Sequence, residues 1–176
     1  MLKKDTRSPT APTGMTIRDA AAVDLPAIIG IYNAAIAMRT ATAQLEPVTL
    51  ESRKNWLSDH SADQYPFWVL QINGEVAGWL TFKSFLPRSA YRGTAELSVY
   101  VHEEFRRRGV ARHLLQEAIR RAPKLQISAL VGLIFAHNTP SIRLFEQLGF
   151  SRWGLLPRIA RVDEVERDLT IMGRHV

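Results

Sequence analysis

Leu97-Ser98-Val99-Tyr100-Val101-His102-Glu103-Glu104-Phe105-Arg106-Arg107-Arg108-Gly109-Val110-Ala111-Arg112 changes character twice along its length. From Thr94 to Val101, Ala95, Leu97, Val99 and Val101 alternate against Glu96, Ser98 and Tyr100, the period-two pattern of a strand. A short basic loop comes next. From Gly109 to Ala122 the apolar residues Val110, Leu114, Ala118 and Ile119 return at helical spacing, and Pro123 ends the run. The first turn of a helix has backbone N–H groups without internal partners and a positive dipole end, so an anion binds there. Gly109 and Ala111 let the backbone approach that anion, while Arg107, Arg108 and Arg112 can add charge-assisted hydrogen bonds to phosphate oxygens. Adjacent arginines are also common on a solvated surface. Their position between a strand and an amphipathic helix favours a diphosphate cradle.

Working outward, Met15-Thr16-Ile17-Arg18 alternates as a first strand, and residues 1–14 before it read as a polar, proline-containing extension. Asp24 stands as an N-cap before Leu25-Pro26, and Leu25, Ile28, Ile29, Tyr32, Ala35 and Ile36 mark a helix. Thr49 is expected to cap a second helix carrying Leu50, Arg53 and Trp56-Leu57. Phe67–Ile72, Asn73-Gly74 and Glu75–Phe82 form a hairpin signal with a two-residue turn. Beyond the central motif, Ile127–Phe135 is apolar enough for an interior strand. Asn138-Thr139-Pro140-Ser141 opens a helix to Gln147, with Gly149 as its C-cap, and two strands over Phe150–Leu156 and Arg161–Met172 close the chain. The order is β-α-α-β-β-β-α-β-α-β-β, an α/β domain with a mixed sheet over residues 15–176.

At 176 residues, 46% hydrophobic and 23% charged, the composition is that of one globular domain. Cysteine is absent, which excludes disulfides, thiolate metal sites and a cysteine nucleophile, and fits a cytoplasmic setting. No apolar run is long enough to span a membrane, and the first residues lack the apolar core of a secretory signal. His60, His102, His113, His137 and His175 show no metal-ligand spacing, so no metal is expected. The net charge of +6 suggests an anionic partner, and its concentration in residues 106–124 suits one phosphorylated small molecule at least as well as a nucleic acid.

The Arg106-x-x-Gly109-x-Ala111 segment and Ala136-His137-Asn138-Thr139-Pro140-Ser141-Ile142-Arg143-Leu144-Phe145-Glu146-Gln147-Leu148-Gly149-Phe150 resemble the GCN5-related N-acetyltransferase family. Met15–Arg18, Ile31-Tyr32-Asn33-Ala34, Thr40-Ala41-Thr42-Ala43 and Glu96–Val101 are similar to its phosphinothricin and methionine sulfone branch. The resemblance, over about residues 15–172, implies a mostly antiparallel mixed sheet flanked by helices, with a parallel strand pair that splays to form an acetyl-CoA cleft. It implies that Val99 and Val101 pair their main chain with the pantetheine arm, that residues from Arg107 to Arg112, including Val110, hold the diphosphate, and that Asn138 binds the co-substrate. It implies dimerisation as well.

Acetyl transfer to an amine needs a base, an oxyanion donor and a proton for the departing thiolate. The resemblance assigns the base to Glu96 and a carboxylate contact to Arg92. Arg88 is a substitute for the Trp-Arg pair of relatives, whose place Leu86-Pro87-Arg88 takes here. The oxyanion donor is expected to be a main-chain N–H at or beside Val99. Many relatives carry a tyrosine at Phe145, which has no proton to give, so Tyr100 or unassisted departure must serve. The expected activity is acetylation of a small amino acid or analogue. A peptide α-amine acetyltransferase, a silent CoA sensor and a nucleic-acid module are the competing readings, the last requiring steeply salt-dependent binding.

Overall fold

The computed structural model describes residues 14–176, so the reading of residues 1–14 as an extension lies, up to residue 13, outside the described residues. Its strands are β1 (Met15–Asp19), β2 (Phe67–Ile72), β3 (Glu75–Ser84), β4 (Thr94–Val101), β5 (Ala129–Phe135), β6 (Ser151–Val162) and β7 (Val165–His175). The helices are α1 (Leu25–Ala37), α2 (Val110–Arg121) and α3 (Thr139–Gln147). All strands join one sheet in the order β1-β2-β3-β4-β5-β7-β6. Every neighbouring pair is antiparallel except β4–β5.

The hairpin turn falls at Asn73-Gly74, both in the left-handed region (φ 52° and 87°), as a two-residue turn between strands demands. Alternation then sorts side chains to two cores. On one face, Leu80, Phe82, Ala95, Leu97 and Leu130 pack against Leu114, Leu115 and Ala118 of α2. Leu114 and Leu115 are fully buried, each contributing roughly 1.5–3 kcal/mol. On the other face, Val69 and Trp79 pack beneath Ile28, Ile31 and Ile36 of α1. The Trp79 indole donates to the Ile28 carbonyl at 3.1 Å, so its buried N–H is satisfied.

Three local expectations need correction. Thr49 does cap, accepting from the Ser52 N–H at 3.1 Å, but it opens a 3-10 turn at Glu51–Arg53 instead of an α-helix. The bonds of that turn run back three residues, Lys54 to Glu51 and Trp56 to Arg53, because Trp56 is drawn into an aromatic cluster with Tyr32, Phe67 and Trp79. Asp24 makes no side-chain cap. Its carboxylate instead takes two bonds from Arg18 and one from the Ala21 N–H. The last two strands meet later than expected, at a turn of Asp163 and Glu164 (φ 45° and 65°), and Pro157 lies within an irregularity of β6 instead of ending it.

Candidate active site

The site begins where a ladder stops. β4 and β5 pair only at Thr94–Ala129, Ala95–Leu130 and Glu96–Val131, after which the two parallel strands separate. The β3–β4 bonds run through even-numbered β4 positions: Phe85 N–H donates to Thr94 O, and just past the strand His102 N–H donates to Ala77 O. Alternation along an antiparallel strand therefore turns the N–H and C=O of Val99 and Val101 toward β5, where pairing has ended. Two exposed rows of main-chain donors and acceptors result, ready for an extended amide-bearing ligand.

Two adjoining cavities continue this opening. One of about 460 Å³ is walled by Val99, Tyr100 and Val101 on β4, by Asn138, Ser141, Leu144 and Phe145 at α3, and by Met38, Thr40 and Ala41 after α1. A second of about 550 Å³ lies against the loop and first turn of α2, at Arg106, Arg107, Gly109, Val110, Ala111 and Arg112. They share Val101, Arg106, Ala111, Pro140, Ser141 and Leu144, so together they make one elongated cleft. Gly109 takes φ 83°, the left-handed conformation that lets the loop turn straight into α2. Arg107, at φ 60°, adopts it too. Arg108 stands outside the cavity walls, its guanidinium 5.3 Å over the Phe105 ring. Arg112 hydrogen-bonds Gln147, joining α2 to α3.

Asn138 caps α3 by accepting from the Ser141 N–H at 3.3 Å, which leaves its amide N–H groups available to the cleft it lines. Glu96 is half-buried at the last β4–β5 pair. Burial raises the pKa of its carboxyl, outweighing Lys83, its partner on β3, whose charge pulls the other way. A carboxylate held in this way is a stronger base than an exposed one. Tyr100, on the same side of β4, has its phenol pushed up strongly by burial, so it stays protonated at neutral pH. Its ring packs on Trp79 and Tyr32. Phe145 is buried against Phe150 and Gly132 and supplies no proton. Arg88 and Arg92 share a separate pocket of about 250 Å³ with Tyr65 and Ser84, at the end of β3 and the start of β4. The structure thus brings together Val99, Val101, the α2 turn and Asn138, and sets the two arginines apart.

Sequence reasoning gave no role to Met38, Thr40 and Ala41, although they form the wall opposite α3. Their signal was Thr40-Ala41, part of the Thr40-Ala41-Thr42-Ala43 stretch that resembles the phosphinothricin and methionine sulfone branch. His137 also lines the cleft; burial, and the charge of Arg167, lower its imidazole pKa.

A splayed parallel pair with a phosphate-ready helix at one end makes a binding site for an extended, amide-bearing ligand with an anionic end. The sequence matches the acetyltransferase (GNAT) family over residues 29–150, and the chain belongs to that family. It is 48% identical over 162 residues to a Bacillus subtilis protein named "Putative phosphinothricin acetyltransferase YwnH", covering 92% of this chain and 99% of that one. It is 37% identical over 158 residues to the L-methionine sulfoximine/L-methionine sulfone acetyltransferase of Pseudomonas aeruginosa, covering 89% and 92%. Among solved structures, a phosphinothricin acetyltransferase from Sinorhizobium meliloti in complex with acetyl-CoA superposes with a TM-score of 0.83 at 28% identity, covering 93% of this chain and 89% of that one. The expected mixed, mostly antiparallel sheet and the acetyltransferase assignment hold. Among the described residues, no helix is long and apolar enough to cross a membrane.

Proposed function

We propose that this enzyme moves the acetyl group of acetyl-CoA to the primary amine of a small amino acid or analogue of the phosphinothricin or methionine sulfone type. The observation that carries this reading is the end of β4–β5 pairing at Glu96–Val131, which frees the main chain of Val99 and Val101 beside an elongated cleft. In this reading Val99 and Val101 bind the amide-bearing arm of acetyl-CoA. The first turn of α2, with Arg107, Gly109, Val110, Ala111 and Arg112, holds the diphosphate, and Arg108 adds positive potential from the loop's outer side. Asn138 contributes a side-chain amide. The focal basic charge is thereby assigned to phosphates and not to nucleic acid.

Glu96 takes the proton of the substrate ammonium, directly or through water, and its raised pKa suits that task. The Val99 N–H, or one beside it, stabilises the oxyanion. Phe145 cannot protonate the departing sulfur; either Tyr100, whose phenol donates to the Ala41 carbonyl at 3.5 Å, turns that proton to it, or the thiolate leaves unassisted. Arg88 and Arg92 receive the substrate carboxylate; their shared pocket supports a common ligand. A homodimer belongs to the same proposal, supported by the exposed Leu155 and Ile159 of β6 (55% and 60%). So does a cytoplasmic location, supported by the cysteine-free composition.

The test is thiol release from acetyl-CoA against phosphinothricin, methionine sulfone and sulfoximine, ordinary amino acids, polyamines and short peptides. Turnover with a free amino acid, strongly reduced in Glu96→Gln, and a higher KM for the amine alone in Arg92→Ala, are the expected results. Turnover confined to peptides, or acetyl-CoA binding without turnover on any amine, would contradict the substrate assignment.

A further inference from the structure

The wall of the cleft formed after α1 is tied down at several points, and one tie crosses the molecule. Arg39 follows α1 at φ 56°, a left-handed conformation rare for a residue with a Cβ. Its guanidinium spans three elements. The Nε donates to Asp163 Oδ2 at 2.8 Å in an ion pair, and one terminal nitrogen, Nη1, donates to the Leu45 carbonyl and, at 3.5 Å, to that of Ile36. Asp163 is the first residue of the two-residue β6–β7 turn and is also left-handed, at φ 45°. The neighbouring residues serve the cleft directly: Met38, Thr40 and Ala41 line it, and the Met38 sulfur accepts from Arg106 at 3.0 Å. Segment 38–45 is therefore a strap over the cleft. It is pinned on one side to the arginine loop and on the other to the tip of the last hairpin.

We propose that Arg39 and Asp163 are positioning residues: their ion pair holds the strap against the cleft and so sets the affinity for acetyl-CoA, without touching the reacting atoms. The inference rests on the reading of the cleft as an acetyl-CoA site. Both side chains keep solvent contact, with 33% and 58% of their surface exposed, so the pair adds little to global stability. Its effect falls on the local freedom of the strap. An unpinned strap must be ordered on binding, and that ordering lowers affinity and not the rate of the bound complex.

The experiment compares Asp163→Asn, Asp163→Glu, Arg39→Gln and the Arg39→Gln/Asp163→Asn double variant, reading acetyl-CoA affinity by calorimetry and steady-state KM and kcat. Asp163→Asn is expected to weaken acetyl-CoA binding about two- to fivefold with kcat unchanged, and Asp163→Glu to restore most of it. Asp163→Asn should have no further effect in the Arg39→Gln background. Unchanged affinity in Asp163→Asn, or effects that simply add in the double variant, would overturn the inference while leaving the acetyl-CoA reading intact. Failure of the unmodified protein to bind acetyl-CoA would overturn both. Direct binding separates these cases without any knowledge of the amine.

Discussion

On its β3 side, β4 pairs from Ala95 to Val101 against Gly78–Ser84, whereas on its β5 side only Thr94, Ala95 and Glu96 find partners. The same residues thus build a closed ladder on one edge and an open one on the other. The closed edge is packed to contact. A Cβ added at Gly78 would meet the Tyr100 carbonyl and Val110 Cγ1, both at 2.8 Å. At Gly109, where the open edge runs into α2, an added Cβ would meet nothing within 4 Å. Close packing marks the edge that holds the fold together, and unpaired backbone with free volume marks the edge that holds a ligand.

That contrast is broken most severely at Glu96, where pairing ends. Glu96→Gln is expected to lower kcat by about 10²–10⁴-fold. Its folded-state pKa lies above the unfolded value, so folding favours the protonated form and ionisation at neutral pH costs stability. The thermal midpoint of Glu96→Gln at pH 7 should therefore stay level or rise. In the unmodified enzyme kcat/KM should climb with pH through a value above the ordinary carboxylate range, and a pH profile of the variant should lack that limb.

Gly78→Ala tests the closed edge. Overpacking should cost about 1–3 kcal/mol in denaturant unfolding, since the nearest atoms include a backbone carbonyl that cannot turn aside. Gly109→Ala probes the open edge with the same added methyl. Here the left-handed φ alone should cost about 1 kcal/mol, and KM for acetyl-CoA should rise severalfold because the loop is displaced from the helix terminus. A larger stability loss at Gly109 than at Gly78 would contradict the division between the edges.

The smallest effect lies away from both edges, on the outer face of α2. Arg120 and Arg121 hold the Glu117 carboxyl down to about 2, so their contribution is present above the unfolded value and fades as pH falls from about 4.5 toward 2. Glu117→Gln should cost less than about 1 kcal/mol at neutral pH and less still at pH 2, read by thermal unfolding at both.

Much of the cofactor side was legible in the chain because it is local. Alternation in β4, the glycine before α2 and the capping asparagine of α3 are each read from a few consecutive residues. The failures were nonlocal. The segment after Thr49 has helical spacing, but Trp56 is claimed by aromatic neighbours from α1, β2 and β3, and that pull shortens the helix to a 3-10 turn. Asp24 looks like a cap until Arg18, six residues earlier, takes its carboxylate. The closing turn has no glycine, only Asp163 and Glu164 forced left-handed between two paired strands, so composition gave no mark of it. The strap's Thr40-Ala41-Thr42-Ala43 stretch was visible as a resemblance, but its anchor was not, because Asp163 lies 124 positions along the chain from Arg39.

The most direct test of the open edge is amide hydrogen exchange of β4 with and without acetyl-CoA. The N–H groups of Ser98 and Tyr100, bonded toward β3, should be protected in both states, while those of Val99 and Val101 should exchange fast alone and slow sharply when acetyl-CoA is bound. Protection of Val99 and Val101 that does not change on binding would contradict the claim that the end of the β4–β5 ladder makes the site.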